Sequence, residues 1–372
     1  MVLFAHLSGS RGFIYWPTLY LFGLFAVRMF FVVSGFLITS VLVRELHKTG
    51  SIRLGRFYFR RTLRVFPASY FYIFAIALLG TLGWIEVQHG DLIAALTYTM
   101  NMRDARGAGL GHLWTLAIEE QFYLLWPLTL GVLGLQRSTR FLCAVILGVP
   151  VIRVILPTLL DAHWSILWSD HSFLFWSDAL ASGCLLATLW PKLKDDARLQ
   201  RILSARWFAL IPASAILINL VRFTKIYWFI CEPYMNLAIA LSLAWAVTRP
   251  EATVGRILNW RAVAFVGVLS YSAYLWQQPF LLNRKSESIL VTFPVSIVAA
   301  FIAAMLSYLL IEAPMLRVRT AIECRWQARH AVPVVVVTAP AEIHVRPEVA
   351  PAVSIAPAVP AEVARTSAGA EP

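Results

Sequence analysis

Charge is scarce in this chain. Asp, Glu, Lys and Arg make up 14% of its 372 residues, and Asp and Glu together number only 20. A soluble domain carries about a quarter of its residues as charges, so a water-soluble globular protein is excluded. Cysteine is sparse too: Cys143, Cys184, Cys231 and Cys324 lack paired spacing, which signals neither a disulfide framework nor a zinc or other metal site. There is no Gly-x-Ser-x-Gly nucleophile elbow, and no alternating pattern of membrane-barrel strands. Gly107, Gly109 and Gly111 form a Gly-rich turn, but no strand precedes it, so it is no dinucleotide fingerprint.

What is present is apolar. Hydrophobic residues account for 59% of the chain, and mean hydropathy is +0.70. Stretches of about 20 apolar residues, the length that crosses a hydrocarbon core of roughly 30 Å, recur along it. About ten are expected, the first of them shortened, with the others near 19–43, 65–84, 113–135, 141–160, 172–190, 207–221, 233–248, 262–282 and 289–311. Lipid offers the backbone no hydrogen-bond partners, so these spans must be helices. The expected fold is all-α: a polytopic transmembrane helix bundle over 1–320, followed by a tail over 321–372. From about His330 the tail is Ala, Val, Pro and Glu, a composition that cannot bury a core and reads as disordered.

Lys and Arg set the orientation. The stretch 44–64 holds Arg44, Lys48, Arg53, Arg56, Arg60, Arg61 and Arg64, and the 191–206 loop holds five more basic residues. Loops of that parity carry about 21 basic residues against about 7 on the other, which places them and the tail in the cytoplasm. The net charge of +12 is therefore topology and asks for no nucleic-acid partner.

Three ionisable groups stand out in apolar surroundings. His6 is alone in MVLFAHL; it can serve as the base in acyl transfer to an alcohol or sit as a hydrogen-bonded interfacial histidine. Arg61 and Arg64, three apart, share a helix face; they anchor the cytoplasmic rim or clamp the phosphates of a CoA-like donor. In GHLWTLAIEEQFYLLWP, His112, Thr115 and Glu119 line one face, with Glu120 about 100° round. Each ionised carboxylate there costs several kcal/mol unless it faces a polar interior. Glu119 is either functional or paired with an arginine such as Arg28 or Arg153, and Glu120 reads as structural. Ser34-Gly35 and Ser270-Tyr271-Ser272 read as close helix packing rather than nucleophiles.

Taken in order, MVLFAH (1–6), FFVVSGFLIT (30–39), RFYFRRTLRVFP (56–67), HLWTLAIEEQFYLLWP (112–127), SYSAYLWQQP (270–279) and YLLIEAP (308–314) resemble the acyltransferase-3 family of bacterial integral-membrane O-acyltransferases. The resemblance covers about residues 1–319. It implies transfer of an acyl group, commonly acetyl, from cytoplasmic acyl-CoA to a hydroxyl on a surface polysaccharide, lipopolysaccharide or secreted glycolipid. It implies a multi-pass protein of the bacterial inner membrane, with acyl-CoA (acetyl-CoA) as donor substrate and no permanently bound cofactor. The partners it implies are the lipid bilayer and a carbohydrate or glycolipid acceptor. The family's first-helix histidine maps to His6, its Arg-x-x-Arg pair to Arg61 and Arg64, and its acidic position to Glu119, which would orient or charge-balance the imidazole. Two departures stand out. The family has an arginine ten intervening residues before its histidine, but only five residues precede His6, so the native start is expected upstream. Gln277-Gln278 replaces the histidine that many relatives have after Leu-Trp. The rival expectations are a transporter or flippase of a glycolipid or small solute, and a membrane scaffold acting through the tail.

Overall fold

A computed structural model describes residues 1–159, 171–220, 227–283 and 286–330. Helices dominate: α1 (Val2–Leu7), α2 (Thr18–Thr49), α3 (Leu54–Thr81), α4 (Asp91–Leu96), α5 (Trp114–Leu159), α6 (Phe173–Leu193), α7 (Ala197–Ser204), α8 (Leu210–Asn219), α9 (Glu232–Thr248), α10 (Thr253–Leu258), α11 (Arg261–Leu281), α12 (Val295–Ser307) and α13 (Ala313–His330). Among the described residues there is no strand, only an isolated bridge between Arg11 and Thr292. The chain divides into a compact unit, Met1–Arg319, and a second, Thr320–Pro372. The site lies in the first. Residues 321–330 are helical rather than irregular, and the expected disorder beyond them lies outside the described residues.

Among the described residues six helices are long and apolar enough to cross a membrane, or seven if the pair Ala197–Ser204 and Arg206–Asn219, bent by 70°, counts as one span. The protein is thus a polytopic helical bundle. The count is below the ten read from the sequence for physical reasons. α1 is six residues long, and α11 carries the polar groups Ser270, Tyr271, Ser272, Tyr274, Gln277 and Gln278, the last four of which recur below. The expected spans at 113–135 and 141–160 run together as α5, whose 46 residues would extend about 69 Å if straight. They are not straight. Gly134, at φ 69° and ψ 171°, leaves the helical region, and Phe122 and Ile152 line one cavity of about 480 Å³. A continuous helix would hold those two residues about 45 Å apart, so α5 is a hairpin turned at Gly134.

The tightest packing joins α2 to α6. A Cβ at Gly35 would lie 2.2 Å from the Leu180 carbonyl oxygen, and one at Gly183 would lie 1.9 Å from that of Val32. Small residues let the two backbones touch, which is how apolar helices associate when lipid is the competing solvent. Outward, Val132 is 82% exposed, Leu147 73% and Phe74 69%, surfaces that suit hydrocarbon rather than water.

Candidate active site

The opening turns of α5 carry the site. A 3₁₀ turn over Gly111–Leu113 leads into α5, and His112, Thr115 and Glu119 are all buried on one face, as their spacing predicts. The Leu275 carbonyl lies 3.1 Å from His112 Nε2; a carbonyl only accepts, which puts the ring proton on Nε2. The Gln278 side-chain amide lies 3.0 Å from Nδ1, and since Nδ1 then only accepts, the amide presents its N–H to the ring. Tyr274 donates to the His112 carbonyl at 2.5 Å and also hydrogen-bonds the Thr115 hydroxyl. His112 is therefore fully engaged by α11.

His6 is not engaged in that way. α1 packs on α2, where a Cβ on Gly23 would come within 2.7 Å of Ala5. That contact sets His6 and His112 in the lining of one cavity of about 250 Å³. His6 Nδ1 is buried beside the Gln277 amide, and the two meet in no hydrogen bond of ordinary geometry. Of the two imidazoles, His6 is the one not locked between two partners.

About 10 Å further along α5 lies the carboxylate, by a rise of 1.5 Å per residue from His112. Glu119 Oε1 accepts from Arg61 Nη2 at 2.9 Å and from Ser34 Oγ at 3.1 Å. The Arg61 guanidinium also sits 3.6 Å over the Tyr123 ring. α3 and α5 run antiparallel, since Tyr58 donates to the Leu124 carbonyl at 2.9 Å while Tyr72 donates to Gly109. This settles the cost of the carboxylate: an Arg from the facing helix compensates it. Glu119 is not paired with Arg28 or Arg153, and among the described residues it makes no hydrogen bond to His6. Its partner is the arginine expected to bind donor. Arg64, the other member of that pair, is exposed. Glu120 Oε1 is buried with no hydrogen-bond partner.

Arg28 and Arg153 belong to a separate buried network. Arg28 Nη2 meets Glu232 Oε1 at 2.8 Å, Arg153 Nη1 meets Glu232 Oε2 at 2.6 Å, and Arg153 Nη2 meets Asp178 Oδ1 at 2.8 Å. Two cations balance two anions in a core that tolerates no net charge. Sequence reasoning passed over Asp178, Glu232 and Glu312. The signal was the one that drew attention to Glu119, an acid inside an apolar run. Glu312 lies on a π-helical turn, Tyr308–Glu312, and accepts from Ser272 at 2.9 Å. Ser34 and Ser272, read as packing residues, each donate to a buried carboxylate.

Residues 1–312 match a family model described as an acyltransferase domain. The chain belongs to the acyltransferase-3 family. Among curated proteins it is similar to the "Putative peptidoglycan O-acetyltransferase YrhL" of Bacillus subtilis (strain 168), with 30% identity over 331 residues, covering 79% of this chain and 50% of that protein. It is also similar to the peptidoglycan O-acetyltransferase OatA of Listeria monocytogenes serovar 1/2a, with 28% identity over 328 residues, covering 79% and 51%. The chain spans about half the length of these relatives. No solved structure matches it. For an acyltransferase of this family, the bundle offers a buried base candidate at one level and a held arginine at another.

Proposed function

We propose that this protein is a membrane-bound O-acetyltransferase that moves acetyl from cytoplasmic acetyl-CoA to a hydroxyl of a cell-surface or secreted carbohydrate. The observation that carries the reading is the division of labour between two levels of one helix face. His6 lies in the cavity with His112, and Arg61 is held by Glu119 roughly two turns of α5 away. By the Lys and Arg distribution the arginine end faces the cytoplasm, where the donor is made. Arg61 and Arg64 bind the phosphates of the donor there, since guanidinium groups match phosphate oxygens in pairs. Glu119 serves as the positioning residue for Arg61.

In the transfer, His6 takes the proton of the acceptor hydroxyl as its oxygen bonds to the acyl carbon. The carbon–sulfur bond of the thioester then breaks, and the imidazolium returns the proton to the departing thiolate. His112, locked by Leu275, Gln278 and Tyr274, supports the cavity and does not exchange protons. The names of the relatives support acetyl as the group and a glycan hydroxyl as its destination. The test is acetyl transfer from labelled acetyl-CoA in membranes carrying His6→Ala, with wild-type protein levels verified. The proposal expects loss of transfer, and full retention would sink it. A transporter would in addition be indifferent to Arg61→Ala, which this reading expects to abolish acyl-CoA binding.

A further inference from the structure

α7 lies across the line of the spans. It meets the helical segment that follows, Arg206–Asn219, at a bend of 70°, so a segment that enters the bilayer leaves α7 close to the membrane plane. Asp196 starts the helix by accepting the Leu199 N–H at 2.8 Å, and the extended backbone of Ala205, at ψ 139°, ends it. By the Lys and Arg distribution this elbow faces the cytoplasm. Its sides differ. Leu199 and Leu203 turn inward onto the core. One flank is tied to the end of α9, where Arg249 Nη2 donates to Ser204 Oγ at 2.7 Å. The opposite flank carries the exposed Ile202, with Arg198 one turn before it, and Arg201 stands on the side turned away from the two leucines. Beyond the bend, Arg206, Trp207 and Leu210 are exposed as well.

The protein does not compensate the charges of this elbow. Arg198, Arg201 and Arg206 are exposed, and among the described residues their guanidinium groups make no hydrogen bond or ion pair. The neighbouring acids are engaged elsewhere, Asp196 with the start of α7 and Asp195 with Lys194 at 3.7 Å. Water would leave Ile202, Trp207 and Leu210 uncovered, whereas hydrocarbon would strand the arginines. The boundary between headgroups and acyl chains suits both, with the apolar side chains dipping in and the guanidinium groups level with the phosphates. Tryptophan is at home at that depth. Anionic lipids of the cytoplasmic leaflet carry the complementary charge.

We infer that the α7 elbow binds anionic phospholipid headgroups of the cytoplasmic leaflet, its three arginines meeting the phosphates while Ile202, Trp207 and Leu210 enter the acyl layer. This surface stands whether or not the acyltransferase reading does, and its test requires no turnover. Native mass spectrometry of the purified full chain in detergent, titrated with phosphatidylglycerol or with phosphatidylcholine of the same acyl chains, gives the affinity for each lipid. Phosphatidylglycerol is expected to bind more tightly. Each arginine at a membrane surface is worth about fivefold, so Arg198→Gln, Arg201→Gln and Arg206→Gln together should weaken its tightest binding by about ten- to a hundredfold and leave phosphatidylcholine little changed. Arg137→Gln with Arg140→Gln removes two exposed arginines near the α5 turn and should leave the preference as it is. A wild type that binds both lipids equally overturns the inference, even where the triple variant does not fold. So does a triple variant that keeps the preference, or an equal loss in the Arg137 and Arg140 variant, since lipid would then be reading total charge rather than this elbow. Displacement of phosphatidylglycerol by an equal concentration of glycerol 3-phosphate would also overturn it, by making this a site for soluble phosphate.

Discussion

Removing the Glu119 charge should disable the donor site through Arg61. In Glu119→Gln, the guanidinium loses its carboxylate while Tyr123 still covers its face. The pair is well shielded, with side-chain exposures of 17% for Arg61 and 8% for Glu119, so solvent screens it little. Breaking one side of a fully buried pair costs about 3–5 kcal/mol; with Arg61 partly exposed we expect about 2–4 kcal/mol. If that cost falls on donor binding, kcat/KM for acetyl-CoA drops about 30- to 900-fold. The assay is a double-mutant cycle of Glu119→Gln, Arg61→Gln and the double variant in membrane preparations. Because the carboxylate is argued to act through the arginine, the double variant should be no worse than Arg61→Gln alone. Losses that add across the cycle would refute the reasoning, since they would show Glu119 acting somewhere other than on Arg61.

Other outcomes follow from the same contacts. His6→Gln should abolish transfer while leaving the detergent melting temperature near wild type, whereas His112→Ala should lower it, because the latter strips Gln278 and the Leu275 carbonyl of their partner; thermal unfolding of the two variants checks this. Glu232→Gln should destabilise the bundle by about 3–5 kcal/mol, as it leaves Arg28 and Arg153 sharing one neutral group, and denaturant unfolding in detergent measures it. Gly183→Leu should prevent the α2–α6 contact and lower the yield of folded protein, read by size-exclusion chromatography, while Gly267→Leu, where a Cβ meets nothing, should not. Truncation after His330 should leave acetyl transfer intact; its loss would favour a scaffold working through the tail.

Much of the helical layout was legible because membrane helices announce themselves by length and composition. The shared face of His112, Thr115 and Glu119 was legible for a related reason, since helical spacing alone dictates it. Partners were not. Glu119 meets an arginine 58 residues away, and Arg28 lies more than 200 residues from Glu232; nothing local in either segment selects among several buried arginines. Gln277 and Gln278 show the limit from the other direction. In the sequence they mark a missing base, yet in the fold Gln278 holds His112 and the Gln277 amide lies beside His6. The α5 hairpin was legible as two spans, but its turn rests on the positive φ of Gly134, which the apolar pattern does not reveal.

The seam at Gly35 and Gly183 has an implication for how such a sequence can drift. Ser34, which donates to Glu119, is the residue just before Gly35, so its depth and direction are set by two backbones in contact with nothing adjustable between them. Positions 35 and 183 can accept no other residue, while the lipid-facing surface can exchange one apolar side chain for another. Variation that alters what the enzyme accepts is thus channelled towards the loops around the cavity and away from the helices that aim Arg61.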